Sequence, residues 1–156
     1  MAQPSSQVEP ALDAERVGKP DIRALLAVLS AASQLQMRGQ ADLRRMGSPL
    51  KIHEFDVLVA LATHGPMRPS EITRAASLAP NPTTASSIIT RLENRDLVTR
   101  RPHPEVGGGV VVEITETGSE VLSQLFGEVE RKVISWFGGH FSDDELTTIA
   151  TLLERI

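Results

Sequence analysis

Apolar positions recur along this chain mostly at helical spacing, and the breaks between runs fall on glycine and proline. From Asp21 to about Arg45, Ile22, Leu25, Leu26 and Leu29 stand three and four apart, and the pattern continues through Ala32 and Leu35 toward Leu43. That spacing predicts a long amphipathic helix, which Gly47-Ser48-Pro49 ends. Glu54 to Thr63 repeats the pattern with Phe55, Leu58, Val59 and Ala62, and His64-Gly65-Pro66 stops it. A third, shorter helix is predicted over Pro69 to Ser77, where Pro69 suits the first helical position because its missing N–H would be unpaired there anyway. Ala79-Pro80-Asn81-Pro82 reads as a turn, and Asn81 followed by Pro82 starts a fourth helix running to about Asn94.

The period then shortens to two. Leu97 to Arg101 and Val110 to Ile114 are predicted to pair as strands, joined by a loop from Pro102 to Gly109. Thr115 caps a long helix whose apolar stripe is Leu122, Leu125, Phe126, Val129, Val133 and Phe137, broken by Gly138-Gly139. Ser142-Asp143-Asp144-Glu145 has capping-box spacing and opens a last helix with Leu146, Ile149, Ala150 and Leu153. The expected fold is therefore mainly α with a small β-hairpin. A winged helix-turn-helix occupies residues 51–118, flanked by long helices over 21–47 and 119–156, and Met1 to Pro20, with three prolines, reads as a disordered arm. The flanking helices exceed what so small a domain needs to cover its core. Such leftover amphipathic pairs pack against a second copy of themselves, so a two-fold homodimer is favoured over helices folding back on their own winged helix.

Composition narrows the chemistry. Of 156 residues 40% are hydrophobic, but four Phe and one Trp are the whole aromatic complement, so the core must be built from aliphatic side chains. The chain has no Cys, which removes disulfides, thiolate nucleophiles and Cys-based zinc sites. No run approaches the roughly 18 apolar residues of a membrane span, and the N-terminus lacks the apolar core of a secretory signal, so a cytoplasmic protein is expected. His53, His64, His103 and His140 are spread too widely for a local metal motif, and nothing resembles a nucleophile–base pair. Gly107 to Gly109 is followed by no Lys-Ser/Thr and no helix start, so it is a flexible loop tip rather than a phosphate cradle. Neither a cofactor nor catalysis is expected.

Charge is distributed unevenly. The net charge of −4 argues mildly against a nucleic-acid partner, yet Pro66 to Pro104 carries Arg68, Arg74, Arg91, Arg95, Arg100 and Arg101 against Glu71, Glu93 and Asp96, so that segment is 6 − 3 = +3. Within it, the fourth helix places Thr83, Thr84, Ser86, Ser87, Thr90 and Arg91 at polar positions and Ala85, Ile88 and Leu92 at apolar ones. Short hydroxyls and Arg can reach base edges and phosphates in a DNA major groove. The same spacing is also that of any amphipathic helix.

The ordered set of segments resembles the MarR family of bacterial winged helix-turn-helix transcriptional regulators. The residues that carry the match are Met67-Arg68-Pro69-Ser70-Glu71-Ile72, then Ile88-Ile89-Thr90-Arg91-Leu92-Glu93-Asn94-Arg95-Asp96-Leu97-Val98-Thr99-Arg100, then Val110-Val111-Val112-Glu113-Ile114-Thr115-Glu116-Thr117-Gly118. The helical pattern similar to that family extends from about Asp21 to Ile156. The resemblance implies a ligand-responsive repressor that binds a near-palindromic double-stranded DNA site as a homodimer, one recognition helix in each half-site. It implies that Thr83, Thr84, Ser86, Ser87, Thr90 and Arg91 face the groove, with Arg91 reading a base edge in preference to pairing with a carboxylate. Arg95, Arg100 and Arg101 are then phosphate contacts. It also implies a small effector, often aromatic or phenolic, bound between the winged helix and the dimerising helices. Met37, His53, Phe55 and Met67 are candidates for lining that pocket by rough helical position, and each serves equally well as core.

The chain departs from the family pattern in the turn before the recognition helix, about two residues longer than usual through Ala79-Pro80-Asn81-Pro82. Ser87 stands where members commonly place Arg, and Asp96 where a helix-terminating Gly is common. The wing tip reads Pro104-Glu105-Val106-Gly107-Gly108-Gly109, with Val106 and Gly108 at the positions of the usual Asp and minor-groove Arg. Either His103 with Arg100 and Arg101 substitutes for that anchor, or DNA binding is weaker or differently specified. A winged-helix protein-interaction module with weakened or lost DNA binding is the alternative.

Overall fold

The computed structural model describes residues 18–76, 82–104 and 109–155. It divides the chain into two compact units, residues 1–38 and 39–156. The elements follow in the order α1 (Pro20–Arg45), α2 (Ile52–His64), α3 (Pro69–Ala75), α4 (Pro82–Glu93), β1 (Val98–Pro102), β2 (Val110–Ile114), α5 (Glu116–Trp136) and α6 (Asp143–Leu153). The mainly helical fold with one hairpin is thus the one the hydrophobic periodicity predicts. Most of the N-terminal arm lies outside the described residues. None of the described helices is long and apolar enough to cross a membrane.

In the first unit, the described chain is essentially the start of α1, which leaves Ile22, Leu25, Leu26 and Leu29 exposed at the i, i+3, i+4, i+7 positions of one stripe. In the second unit, one aliphatic cluster holds the elements together. Leu58 and Leu61 of α2, Ile72 of α3, Ile88, Ile89 and Leu92 of α4, and Val98 and Val112 of the hairpin are all less than 2% exposed. Burying each such side chain is worth roughly 1.5–3 kcal/mol. With so few aromatics, the small domain depends on many of these modest terms. Phe126, Val133 and Ile134 of α5 and Leu152 and Leu153 of α6 stay exposed.

Three helices begin with the same device. A glutamate at the third helical position reaches back to the backbone N–H of the capping residue: Glu54 to Lys51 at 3.0 Å, Glu71 to Arg68 at 2.7 Å, and Glu145 to Ser142 at 2.8 Å. Only Ser142 can also return a side-chain acceptor, which it does to the Glu145 N–H, completing the capping box. The Glu54 bond explains why α2 starts at Ile52, two residues before the apolar pattern becomes visible.

Two helices also end alike. At the end of α1 the Ser48 N–H donates to the Leu43 carbonyl and the Gly47 N–H to that of Arg44; at the end of α4 the Leu97 N–H donates to Leu92 and the Asp96 N–H to Glu93. Both are Schellman terminations, which need a left-handed residue after the helix. Gly47 supplies it at φ 67° and Asp96 at φ 57°, the only described non-glycine residue with positive φ.

β1 and β2 pair antiparallel from Val98↔Ile114 to Pro102↔Val110. The first strand therefore begins and ends one residue later than its apolar pattern suggests, taking in Pro102. That proline is tolerated because His103 and Gly109 form the next hydrogen-bonded pair, through His103 N–H to Gly109 O at 2.8 Å, so position 102 points its nitrogen away from β2. On the far side of β2, Met67 exchanges both backbone hydrogen bonds with Val112. α5 is capped by Thr115, whose Oγ1 accepts the Gly118 N–H at 3.0 Å and donates to the Asp96 carbonyl at 2.6 Å. Where Gly138-Gly139 is expected only to break the helix, α5 stops at Trp136 and one turn of 3₁₀ helix follows over Gly138–His140, with the Phe137 and Phe141 rings 5.4 Å apart across it.

Candidate nucleic-acid interface

The candidate interface is built on α4, whose apolar side is fixed first. Ala85, Ile88, Ile89 and Leu92 are buried, which turns Ser86, Ser87, Thr90 and Arg91 outward. Thr83 and Thr84 belong to the first turn of α4, but their side chains lie outside the described ones, as does Asn81. So four of the six polar positions expected to face a groove share one exposed face of a helix whose other face is buried in the core. Beside that face, where Arg100 reaches Thr90, the hairpin contributes Arg100 and Arg101, both exposed, and half-buried His103. The wing-tip positions Glu105, Val106, Gly107 and Gly108, where the departure from the family pattern falls, lie outside the described residues.

The arginines of this face each meet a carboxylate. Arg91 Nε donates to Glu54 Oε1 at 3.2 Å, and Arg95 Nη1 donates to Glu54 Oε2 at 3.2 Å. Arg100 pairs with Glu93 and also donates to Thr90 Oγ1 at 3.2 Å. Arg101 Nε lies 3.1 Å from Glu113 Oε2 across the strands. Arg68 Nη2 lies 3.4 Å from His103 Nε2, bringing the start of α3 beside the end of β1. The expectation that Arg91 reads a base in preference to pairing with a carboxylate therefore meets a structure in which it pairs, with Nε engaged and 47% of the side chain still exposed.

Glu54 is the residue that sequence reasoning passed over. Its side chain is only 4% exposed, and its two oxygens take the Lys51 N–H, Arg91 and Arg95. A buried carboxylate needs such partners, since stripping its hydration without them would cost several kcal/mol. Its position at the third residue of α2 also places it at the positive end of the helix dipole. Glu93 and Glu113, which hold Arg100 and Arg101, stood in the sequence only within the segments that carry the family resemblance, with no partner assigned to either.

Two cavities border α5. The larger, about 360 Å³, is an open groove between the last turns of α2 and the middle of α5, lined by Val59, Ala62, Thr63, Leu122, Ser123 and Phe126. The smaller, about 30 Å³, lies among Asp42, Met46, Ile52, Phe55, Lys132 and Trp136. Of the residues expected to line an effector pocket, only Phe55 touches either of these cavities. Met37 is 63% exposed on α1. Met67 is committed to its bridge with Val112 and packs on the core. His53 keeps a buried Nδ1 without a hydrogen-bond partner among the described residues, and so does Trp136 with Nε1. No group of three or more metal-ligating side chains is found among the described residues.

Residues 50–105 match the model of the MarR family. The HTH-type transcriptional repressor NicR of Pseudomonas putida is 30% identical over 103 residues, 66% of this chain and 63% of that protein, so the match spans less than two thirds of the relative's length. A mutant MarR from E. coli complexed with operator DNA superposes with a TM-score of 0.68 at 21% identity, covering 86% of this chain and 94% of that one. BpsR of Bordetella bronchiseptica, whose DNA binding is regulated by 6-hydroxynicotinic acid, superposes with a TM-score of 0.64 at 25% identity, over 85% and 97% of the two chains.

Proposed function

We propose that this chain is a member of the MarR family, whose model its residues 50–105 match, and that it is a sequence-specific, homodimeric DNA-binding transcriptional regulator whose repression is relieved by a small ligand. The observation that carries this reading is α4. Its buried apolar face presents Ser86, Ser87, Thr90 and Arg91 together on a scaffold of the same fold as an operator-bound protein. Ser86, Ser87, Thr90 and Arg91, with Thr83 and Thr84, read the major groove, and Arg95, Arg100, Arg101 and His103 contact the backbone. Dimerisation covers the apolar stripes that α1, α5 and α6 leave open. The effector is a small aromatic molecule, as 6-hydroxynicotinic acid is for BpsR. The groove between α2 and α5 is large enough for one, since ligand pockets begin at about 300 Å³.

One observation favours a second reading. Arg91, Arg95, Arg100 and Arg101 are all paired with glutamates, which lowers the field that would attract DNA and suits a winged-helix interaction module. Salt-titrated binding separates the two. The regulator reading expects Arg91→Ala to weaken binding to a preferred duplex about tenfold or more while changing affinity for a scrambled duplex much less. Equal losses on both would reduce Arg91 to a phosphate contact, and no salt-dependent DNA affinity in the wild type would support the interaction module instead.

A further inference from the structure

Resting on the DNA-binding reading above, we infer that Glu54 is a positioning residue for sequence recognition. Its buried carboxylate holds Arg91 and Arg95 in one fixed arrangement on the edge of α4. Three donors converge on it: the Lys51 N–H at 3.0 Å, Arg91 Nε at 3.2 Å and Arg95 Nη1 at 3.2 Å. The backbone bond ties the carboxylate to the first turn of α2, so it cannot follow the arginines if they move. Arg91 lies in the last turn of α4 and Arg95 in the turn that ends it, and their side chains are 47% and 36% exposed. Each thus has one end anchored in protein and the other in solvent.

The anchoring has two consequences. A guanidinium can present a base with either of two forks, Nε with one Nη, or both Nη groups end-on. With Nε occupied by Glu54, Arg91 retains only the end-on fork, so its approach to a base edge is set before DNA arrives. A free Arg side chain must give up its rotamer freedom on binding, and this one has already done so. The second consequence is electrostatic. One carboxylate shared between two guanidiniums leaves a net +1 where +2 would stand, which weakens the attraction to any DNA whatever its sequence. Glu54 therefore raises preference from both sides, by sharpening the specific contact and reducing the general one.

The test is Glu54→Gln, which keeps the shape and an acceptor for the Lys51 N–H but removes the charge. The probes are a duplex enriched by the wild-type chain from a random-sequence pool and a scrambled duplex of the same composition, each titrated with salt. The ratio of the two affinities should fall about tenfold, while affinity for the scrambled duplex holds or rises and its log–log salt slope steepens by up to about one. If Glu54 only stabilises the fold, both affinities drop by the same factor and the ratio stays within twofold, which overturns the inference. Arg91→Lys supplies a test that does not depend on the buried site. Lysine keeps the charge on an exposed position but cannot bind Glu54 and still present a fork, so the ratio should fall as it does for Arg91→Ala. Wild-type preference in Arg91→Lys contradicts the proposal. A wild-type chain that enriches no sequence from the pool overturns the underlying DNA-binding reading instead.

Discussion

Gly118 and Thr115 tie three parts of the winged helix together with very few atoms. Thr115 Oγ1 bridges the Asp96 carbonyl and the Gly118 N–H, and a Cβ built on Gly118 would lie 2.1 Å from the Leu97 carbonyl oxygen and 2.9 Å from Ile114 Cγ1. The first contact is with backbone, which cannot swing aside as a side-chain tip would. Gly118→Ala should therefore lose about 3 kcal/mol or more, seen as a fall of roughly 10 °C in melting temperature. A fall under about 2 °C would show that α5 can slide away from the hairpin. Single residues were also where sequence reading ran out. Asp96 was visible as a substitute for a helix-terminating glycine, and the structure gives it that left-handed role. Glu54 was visible only as part of a helix. The arginines it binds lie 37 and 41 positions away, and no local pattern encodes a contact between the first turn of one helix and the C-terminal end of another.

The elements themselves were the most legible part, because amphipathic periodicity and capping chemistry are local. The helices of the second unit, the hairpin and the Ser142 cap follow from spacing alone, with boundaries moved by one or two residues where a backbone bond decides. The wing is different. Its strands are fixed by register, but the residues that would enter a minor groove lie outside those described, so its role rests on Arg100 and Arg101. Arg101 is 64% exposed and, among the described residues, is held across the strands by Glu113. As a phosphate contact, Arg101→Ala should weaken binding by similar factors on preferred and scrambled duplexes and reduce the salt slope by about one. Loss confined to the preferred duplex would instead make the hairpin a base-reading element.

At the level of the molecule, α1 leaves Ile22, Leu25, Leu26 and Leu29 exposed, and α5 and α6 leave Phe126, Val133, Ile134, Leu152 and Leu153 exposed, apolar side chains of the kind that mark interaction surfaces when they are contiguous. Sequence periodicity predicted both faces, and what covers them is a matter of assembly that one chain's pattern does not encode. The proposed regulator requires two copies to place two α4 helices on one duplex. Two-fold symmetry in the protein then demands two-fold symmetry in the site. Selection from a random duplex pool, followed by counting chains bound per enriched duplex, measures this directly. The expected result is an inverted repeat with half-site centres about 10–10.5 base pairs apart, or a multiple of that, occupied by two chains and preferred over random duplex by about a thousandfold or more. An enriched site without internal symmetry bound by one chain, or a preference below about tenfold, would contradict it.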